Sequence, residues 1–340
     1  MDACSTTGSR ILRPSTARTP CHPAAPMNRC TTRIASIPGT STRRRRRLSS
    51  WRRRCSSIER QGHEEIMMKM RLSCFGFIKD LDDIAAAGYD CAELHVKEIM
   101  SFDDSGFAQA LRKLRSCGIP AEVFNNPIPL DCRISDPSFN LGFYRGFLEK
   151  AADRCAEMGA RYFVFGNGKA RSLPVEGDIA GAASKFDEFF SMLLDIAAAR
   201  NVTVLIEPLG KKLSNIVNSL PEAVAFINRF GKANLKTFVD YRYMVELGRP
   251  LSEIAEYEPW IKHVHLDNPL SEFPRRIVPR LDDGFDYGPF LEALKGIAYK
   301  GILSVEASVF EDFSREIAEC LGFFKAYGIE PYRAPKGGAR

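Results

Sequence analysis

Between residues 67 and 335 the chain alternates short, densely apolar runs with longer stretches whose apolar positions recur every three or four residues. The first pattern suits strands buried on both faces, the second amphipathic helices that cover them. Met70 to Phe77 reads as a strand and Asp80 to Ala87 as a helix stopped by Gly88. A second strand over Cys91 to Val96 precedes a helix over Asp104 to Cys117 ended by Gly118. A third strand, Pro120 to Phe124, runs into Asn125-Asn126-Pro127, and Leu141 to Met158 is a long helix ended by Gly159. The fourth strand, Arg161 to Phe165, enters Gly166-Asn167-Gly168, with a helix over Asp178 to Arg200 after it. Four more strands are predicted at Val202 to Glu207, Leu235 to Asp240, Ile261 to His265 and Ile302 to Glu306. Their helices fall near Pro221 to Phe230, Tyr243 to Leu247, Pro289 to Ile297 and Asp312 to Tyr327.

Strand and helix thus alternate eight times, which argues for parallel pairing. A closed (β/α)8 TIM barrel takes roughly 250 residues, so a single α/β catalytic domain over 67–335 fits both number and length. An open doubly wound sheet is the competing architecture. No G-x-G-x-x-G follows the first strand, which weakens it.

Each of the last four strands ends in a side chain that metals favour: Glu207, Asp240, His265 and Glu306. In a barrel all four strand ends share the face where active sites lie. A carboxylate after five apolar residues is costly to bury unless it is paired or metal-bound. Singly, each has a structural alternative: Glu207 could pair with Lys211, Asp240 could cap the next helix, and one of His263 and His265 could be a packed histidine. Together, one imidazole and three carboxylates form a hard, oxygen-rich donor set. It suits Mn2+ first, with Mg2+, Co2+ or Zn2+ as alternatives. Such a centre polarises a carbonyl and its neighbouring hydroxyl, and two carboxylates flanking one carbon can exchange protons with it.

Charge alters the picture only at the N-terminus. Of 48 basic and 42 acidic residues, the first 66 positions hold 14 and 4, leaving 34 against 38 in the rest. The barrel is therefore slightly acidic and offers no electrostatic case for nucleic acid. Residues 1–66 are rich in Arg and Ser without apolar periodicity, which predicts a disordered tail. All 14 of its basic residues are arginine, whereas 16 of the later 34 are lysine, so the preferred reading is that translation starts at Met67, Met68 or Met70. A localisation patch or a transit peptide is the alternative. Residues 336–340 form a short C-terminal tail. Six scattered cysteines after residue 66, without a C-x-x-C pair, and no spanning apolar run predict a reduced cytoplasmic protein with no membrane partner.

The motifs Ile206-Glu207-Pro208, Val239-Asp240-Tyr241, His263-Val264-His265-Leu266 and Ser304-Val305-Glu306-Ala307 make the chain from Met70 to Tyr332 resemble the xylose isomerase-like TIM-barrel superfamily, in its sugar phosphate isomerase/epimerase branch. Within it the chain is similar to ketose 3-epimerases of the D-tagatose and D-psicose type. The resemblance implies one divalent ion on Glu207, Asp240, His265 and Glu306, with Glu207 and Glu306 as the acid/base pair at C3 of a small sugar. It also implies substrate contacts from position 243, where Tyr243 stands in place of the histidine family members often carry, and from Arg276. Glu93, Asn125 and His263 are further candidate substrate contacts, while Lys169 and Arg171 read as surface cations or phosphate contacts. The function expected is a metal-dependent sugar isomerase or epimerase working through an enediolate. An inosose-type dehydratase or a non-catalytic sugar-binding barrel is the alternative, and a homo-oligomer is left open. A trinuclear nuclease site is rejected, because only His95, His263 and His265 follow residue 66. Intact mass of the protein from its native host is expected to lack the first 66 residues; a mass that includes them overturns the start-site reading.

Overall fold

A computed structural model describes residues 67–333. The tails read above as residues 1–66 and 336–340 lie outside the described residues. Eight strands close into a parallel barrel: β1 (Arg71–Phe75), β2 (Cys91–His95), β3 (Ala121–Asn125), β4 (Tyr162–Phe165), β5 (Thr203–Ile206), β6 (Leu235–Asp240), β7 (Ile261–Leu266) and β8 (Ile302–Val305). β8 pairs with β1, so the sheet has no edge and the open-sheet alternative falls away. Helices connect successive strands and cover the outside.

Two helices coincide with the sequence pattern to the residue, Asp104–Cys117 and Leu141–Met158. Both end on a glycine in the left-handed region, Gly118 at φ 74° and Gly159 at φ 105°, where a side chain would be strained. Both start on an Asx cap: Asp103 accepts from the Gly106 amide and Asn140 from the Phe143 amide. The pattern misses the one-turn and two-turn helices Gly168–Arg171 and Val96–Ser101, which leave β4 and β2 directly. Helices this short are held by their surroundings and carry no periodic signal of their own.

Alternation along the strands divides the core. Cys91, Val123, Val164, Leu205, Phe238 and Ile302 form one buried cluster, while the helix-facing residues form a second, larger one. Since side chains two apart share a face, Glu93, Asn125, Glu207, Asp240 and Glu306 project on the same side as the small cluster, further toward the strand C-termini. The barrel is thus apolar in its depth and polar at its mouth. At the opposite end a two-residue parallel ladder joins Met68–Lys69 to Ile329–Glu330. Asp90 adds to it by accepting from the Leu72 amide at 2.9 Å and the Tyr332 amide at 3.2 Å. Among the described residues no helix is long and apolar enough to cross a membrane, and the six cysteines are buried and form no disulfide.

An aromatic cluster fastens the helices beside β4 and β5. Phe190 meets Phe165, Phe226 and Phe230 edge-on at 5.1–5.3 Å and Phe186 at 5.5 Å. Phe190 is fully buried. Phe190→Ala is expected to lower the unfolding free energy by about 3–5 kcal/mol, read by urea denaturation, through lost transfer energy and the cavity left behind.

Candidate active site

The four strand-end residues meet at the mouth. The β6–β7 register sets Asp240 beside His265, and that of β7–β8 sets His265 beside Ser304, two residues before Glu306. Register irregularities fall between Thr237 and Val239 and between Ala92 and Glu93, directly before two of the site residues. Such bulges turn a strand locally and re-aim the side chains that follow.

One donor atom each from Glu207, Asp240 and His265 lies within 4.8 Å of the others. Glu306 Oε2 is 3.0 Å from His265 Nδ1 and 2.9 Å from Arg276 Nη1. These are ion-pair distances without hydrogen-bond alignment: Asp240 Oδ1, His265 Nδ1 and Glu306 Oε2 are all buried and lack a hydrogen-bond partner. Buried polar atoms are rarely left so. Three converging unpartnered acceptors beside the Glu207 carboxylate are what a divalent cation would satisfy, so the residues fit a metal centre.

Around this set lies a second ring. Arg276 Nη2 donates to Asp240 Oδ2 at 2.9 Å and to the Tyr243 hydroxyl at 3.1 Å, and its guanidinium sits 5.5 Å from the Tyr243 ring centroid. Asp267, fully buried, accepts from Arg242 Nε at 2.9 Å and from Arg242 Nη2, and lies 3.5 Å from Arg276 Nη1. Asp267 was absent from the sequence candidates. The signal for it was there, because it continues the His263, His265 spacing one step beyond the strand. On the other side, Glu93 receives His263 Nε2 at 3.0 Å, His265 Nε2 at 2.9 Å and the Asn125 amide.

Charge crowding sets the protonation states. Burial, with Asp240 and Glu306 adding repulsion, pushes the Glu207 carboxyl up to about 8. Burial also acts to raise Glu306, but Arg276 and His265 outweigh it and hold that carboxylate below its ordinary value. Glu93 is held well below the carboxylate range, its burial overcome by His265 and His263. Burial lifts Asp267 to about 7 against the pull of Arg276. Burial lowers the His263 imidazole, whereas Glu306 and Glu93 more than offset burial at His265 and raise it.

A cavity of about 460 Å³ opens over the site, lined by Asn125, Lys169, Glu207, Tyr243, Arg276 and Glu306 among others. That size suits a small-molecule ligand. Asp240, His265, Glu93 and His263 lie beneath it, each at 2% exposure or less. Gly166 lets Glu207 reach its position, since a Cβ there would stand 2.2 Å from Glu207 Oε2. Lys169 faces the cavity. Arg171 corrects the expectation of a surface cation: it is fully buried and braces the loop after β5, donating to Ser214 Oγ at 3.2 Å and the Val217 carbonyl at 3.1 Å.

A profile described as xylose isomerase-like TIM barrel matches residues 81–327. A ketose 3-epimerase from Arthrobacter globiformis is 24% identical over 234 residues, covering 68% of this chain and 75% of that protein. A D-psicose 3-epimerase from Agrobacterium fabrum is 23% identical over 237 residues, covering 67% and 78%. Among solved structures, a D-psicose 3-epimerase crystallised in the presence of D-fructose superposes with a TM-score of 0.64 at 17% identity, covering 76% of this chain and 99% of that one. A 3-keto-D-glucoside 4-epimerase from E. coli gives 0.61 at 17% identity, covering 76% and 100%.

The raised Glu207 value fixes a sign for the metal-stripped protein. The folded state holds a proton that the unfolded chain has released above its ordinary value of 4.5. The stabilisation is therefore complete below that value and is lost as pH climbs through about 8. In urea unfolding, wild type is expected to lose stability relative to Glu207→Gln across that window; a pH-independent difference between the two would refute the assignment.

Proposed function

The chain belongs to the xylose isomerase-like TIM-barrel family, and we propose that it is a divalent-metal-dependent sugar epimerase or isomerase acting on a ketose or related polyol. The observation that carries this reading is geometric: donor atoms of Glu207, Asp240 and His265 converge within 4.8 Å, with Glu306 3.0 Å from His265, at the base of a cavity of about 460 Å³. Two carboxylates lining one cavity beside such a donor set can serve as an acid/base pair. The relatives matched over about three quarters of their length are 3-epimerases of ketoses, which supports the same reaction class.

Glu207, Asp240, His265 and Glu306 would hold the ion, Mn2+ in the first instance. Bound there, it supplies Lewis-acid polarisation of a carbonyl and its adjacent hydroxyl. The protein does the rest. One of Glu207 and Glu306 takes a proton from the carbon next to the carbonyl, leaving an enediolate. The other returns a proton to the opposite face of that carbon, and the two exchange roles in the reverse direction. Arg276, already paired with Asp240 and Glu306, adds fixed positive charge beside the developing oxyanion. Tyr243 offers a hydroxyl to the sugar, and the buried thiols suit a reducing cytoplasm.

With Mn2+ and a ketose panel in deuterium oxide, the protein is expected to incorporate deuterium at the inverted carbon with no change in product mass beyond that exchange. Glu207→Gln and Glu306→Gln should each reduce kcat about 10²–10⁴-fold, and chelation should abolish turnover. A product lighter by one water would point to a dehydratase, and turnover without label would reject the proton-transfer scheme.

A further inference from the structure

Building on the metal-centre reading above, we infer that Glu93 is a positioning residue that selects which nitrogen of His265 faces the ion, with His263 and Asn125 holding Glu93 in place. An imidazole ligates through one nitrogen while the other carries a proton, and the partner of the protonated nitrogen decides which is which. Glu93 Oε1 lies 2.9 Å from His265 Nε2. The same Oε1 accepts from the Asn125 amide, so it faces His265 as an acceptor and Nε2 donates. That leaves Nδ1 for the ion, the nitrogen that has no hydrogen-bond partner and lies 3.0 Å from Glu306 Oε2.

The carboxylate is itself fixed from three directions. His263 Nε2 reaches its second oxygen at 3.0 Å, and the Asn125 amide donates to the first. Glu93 and His263 are fully buried and Asn125 is 4% exposed, so water has little access to this network. Phe238 closes the remaining side, its ring 4.7 Å from His265 and 5.7 Å from His263. A buried carboxylate of this kind is costly unless every lone pair has a use. Here the donors come from β3 and β7, so Glu93 on β2 ties the first half of the barrel to the histidine strand. The same three residues, Glu93, His263 and His265, bring donor atoms within 4.8 Å and would themselves form a cation site. The geometry favours a hydrogen-bonded clamp, because both histidine nitrogens sit at hydrogen-bond distance from the carboxylate oxygens.

The test uses the full chain, stripped of metal and titrated with Mn2+ by calorimetry, with thermal unfolding as a check on folding. Wild type is expected to bind one Mn2+ per chain. Glu93→Ala should weaken binding about 10–100-fold, the range typical of lost outer-shell partners. Glu93→Gln keeps the shape and one acceptor oxygen, so it should fold like wild type and recover most of the affinity. In Co2+-loaded protein, wild type and Glu93→Gln should show a slowly exchanging, hyperfine-shifted imidazole N–H that Glu93→Ala loses. Unchanged Mn2+ affinity and an unchanged N–H signal in Glu93→Ala would overturn the clamp, as would a second Mn2+ equivalent lost on His263→Asn. If wild type binds neither ion, the metal centre and the clamp fall together. If it binds Mn2+ with these variant effects yet turns over no sugar, only the reading of the reaction fails.

Discussion

Everything at the mouth of this barrel answers to the repulsion among carboxylates gathered where water is scarce. Glu93, Glu207, Asp240 and Asp267 are buried, and Glu306 stands beside them. Like charges at such depth cannot all be ionised without compensation. The chain divides the burden three ways. Two histidines serve Glu93, Arg242 and Arg276 serve Asp267, and Arg276 serves Asp240 and, with His265, Glu306. Glu207 receives no ion pair of its own among the described residues, and without a bound cation burial and its neighbours push its carboxyl up. The unequal distribution gives chemically identical groups different electrostatic surroundings.

The architecture supplies this crowd at low cost to the fold. Parallel strands buried on both faces need apolar residues in the depth of the barrel, and Val123, Val164, Leu205, Phe238 and Ile302 provide them. On β2, β3, β5 and β6 the next inward position is polar and lies toward the rim: Glu93, Asn125, Glu207 and Asp240. On these strands the transition from packing to chemistry takes one alternation of the pleat. Gly166 belongs to the same economy, because the acid occupies space that a methyl group at that position would need.

Much of this was legible in the sequence. Eight apolar runs gave the barrel, and the polar residues closing the last four gave the gathering of Glu207, Asp240, His265 and Glu306. What escaped was whatever depended on partners distant in sequence. Glu93 could be singled out as a strand-end acid, yet its engagement with two histidines 170 and 172 positions away left no local trace. Arg171 looked like a loop cation in a Gly-rich turn. Its burial follows from the returning loop that folds over it, with Ser214 and Val217 as acceptors. Asp267 continues the His263, His265 alternation one step past the strand end, outside the apolar run that marks the strand. Short helices such as Val96–Ser101 were missed because a turn or two of helix shows no periodicity.

The small ladder joining Met68–Lys69 to Ile329–Glu330 has a consequence of another kind. It makes the two ends of the described chain hydrogen-bonded neighbours on the barrel floor, at the opposite end from the mouth. Covalent order and spatial order are therefore separable here. A short linker across that ladder would turn the barrel into a ring, and the ring could be reopened at another floor loop without disturbing a strand end. Such a permuted chain would begin on a different strand and still present the same rim, which makes the choice of first strand a matter of gene history more than of mechanics.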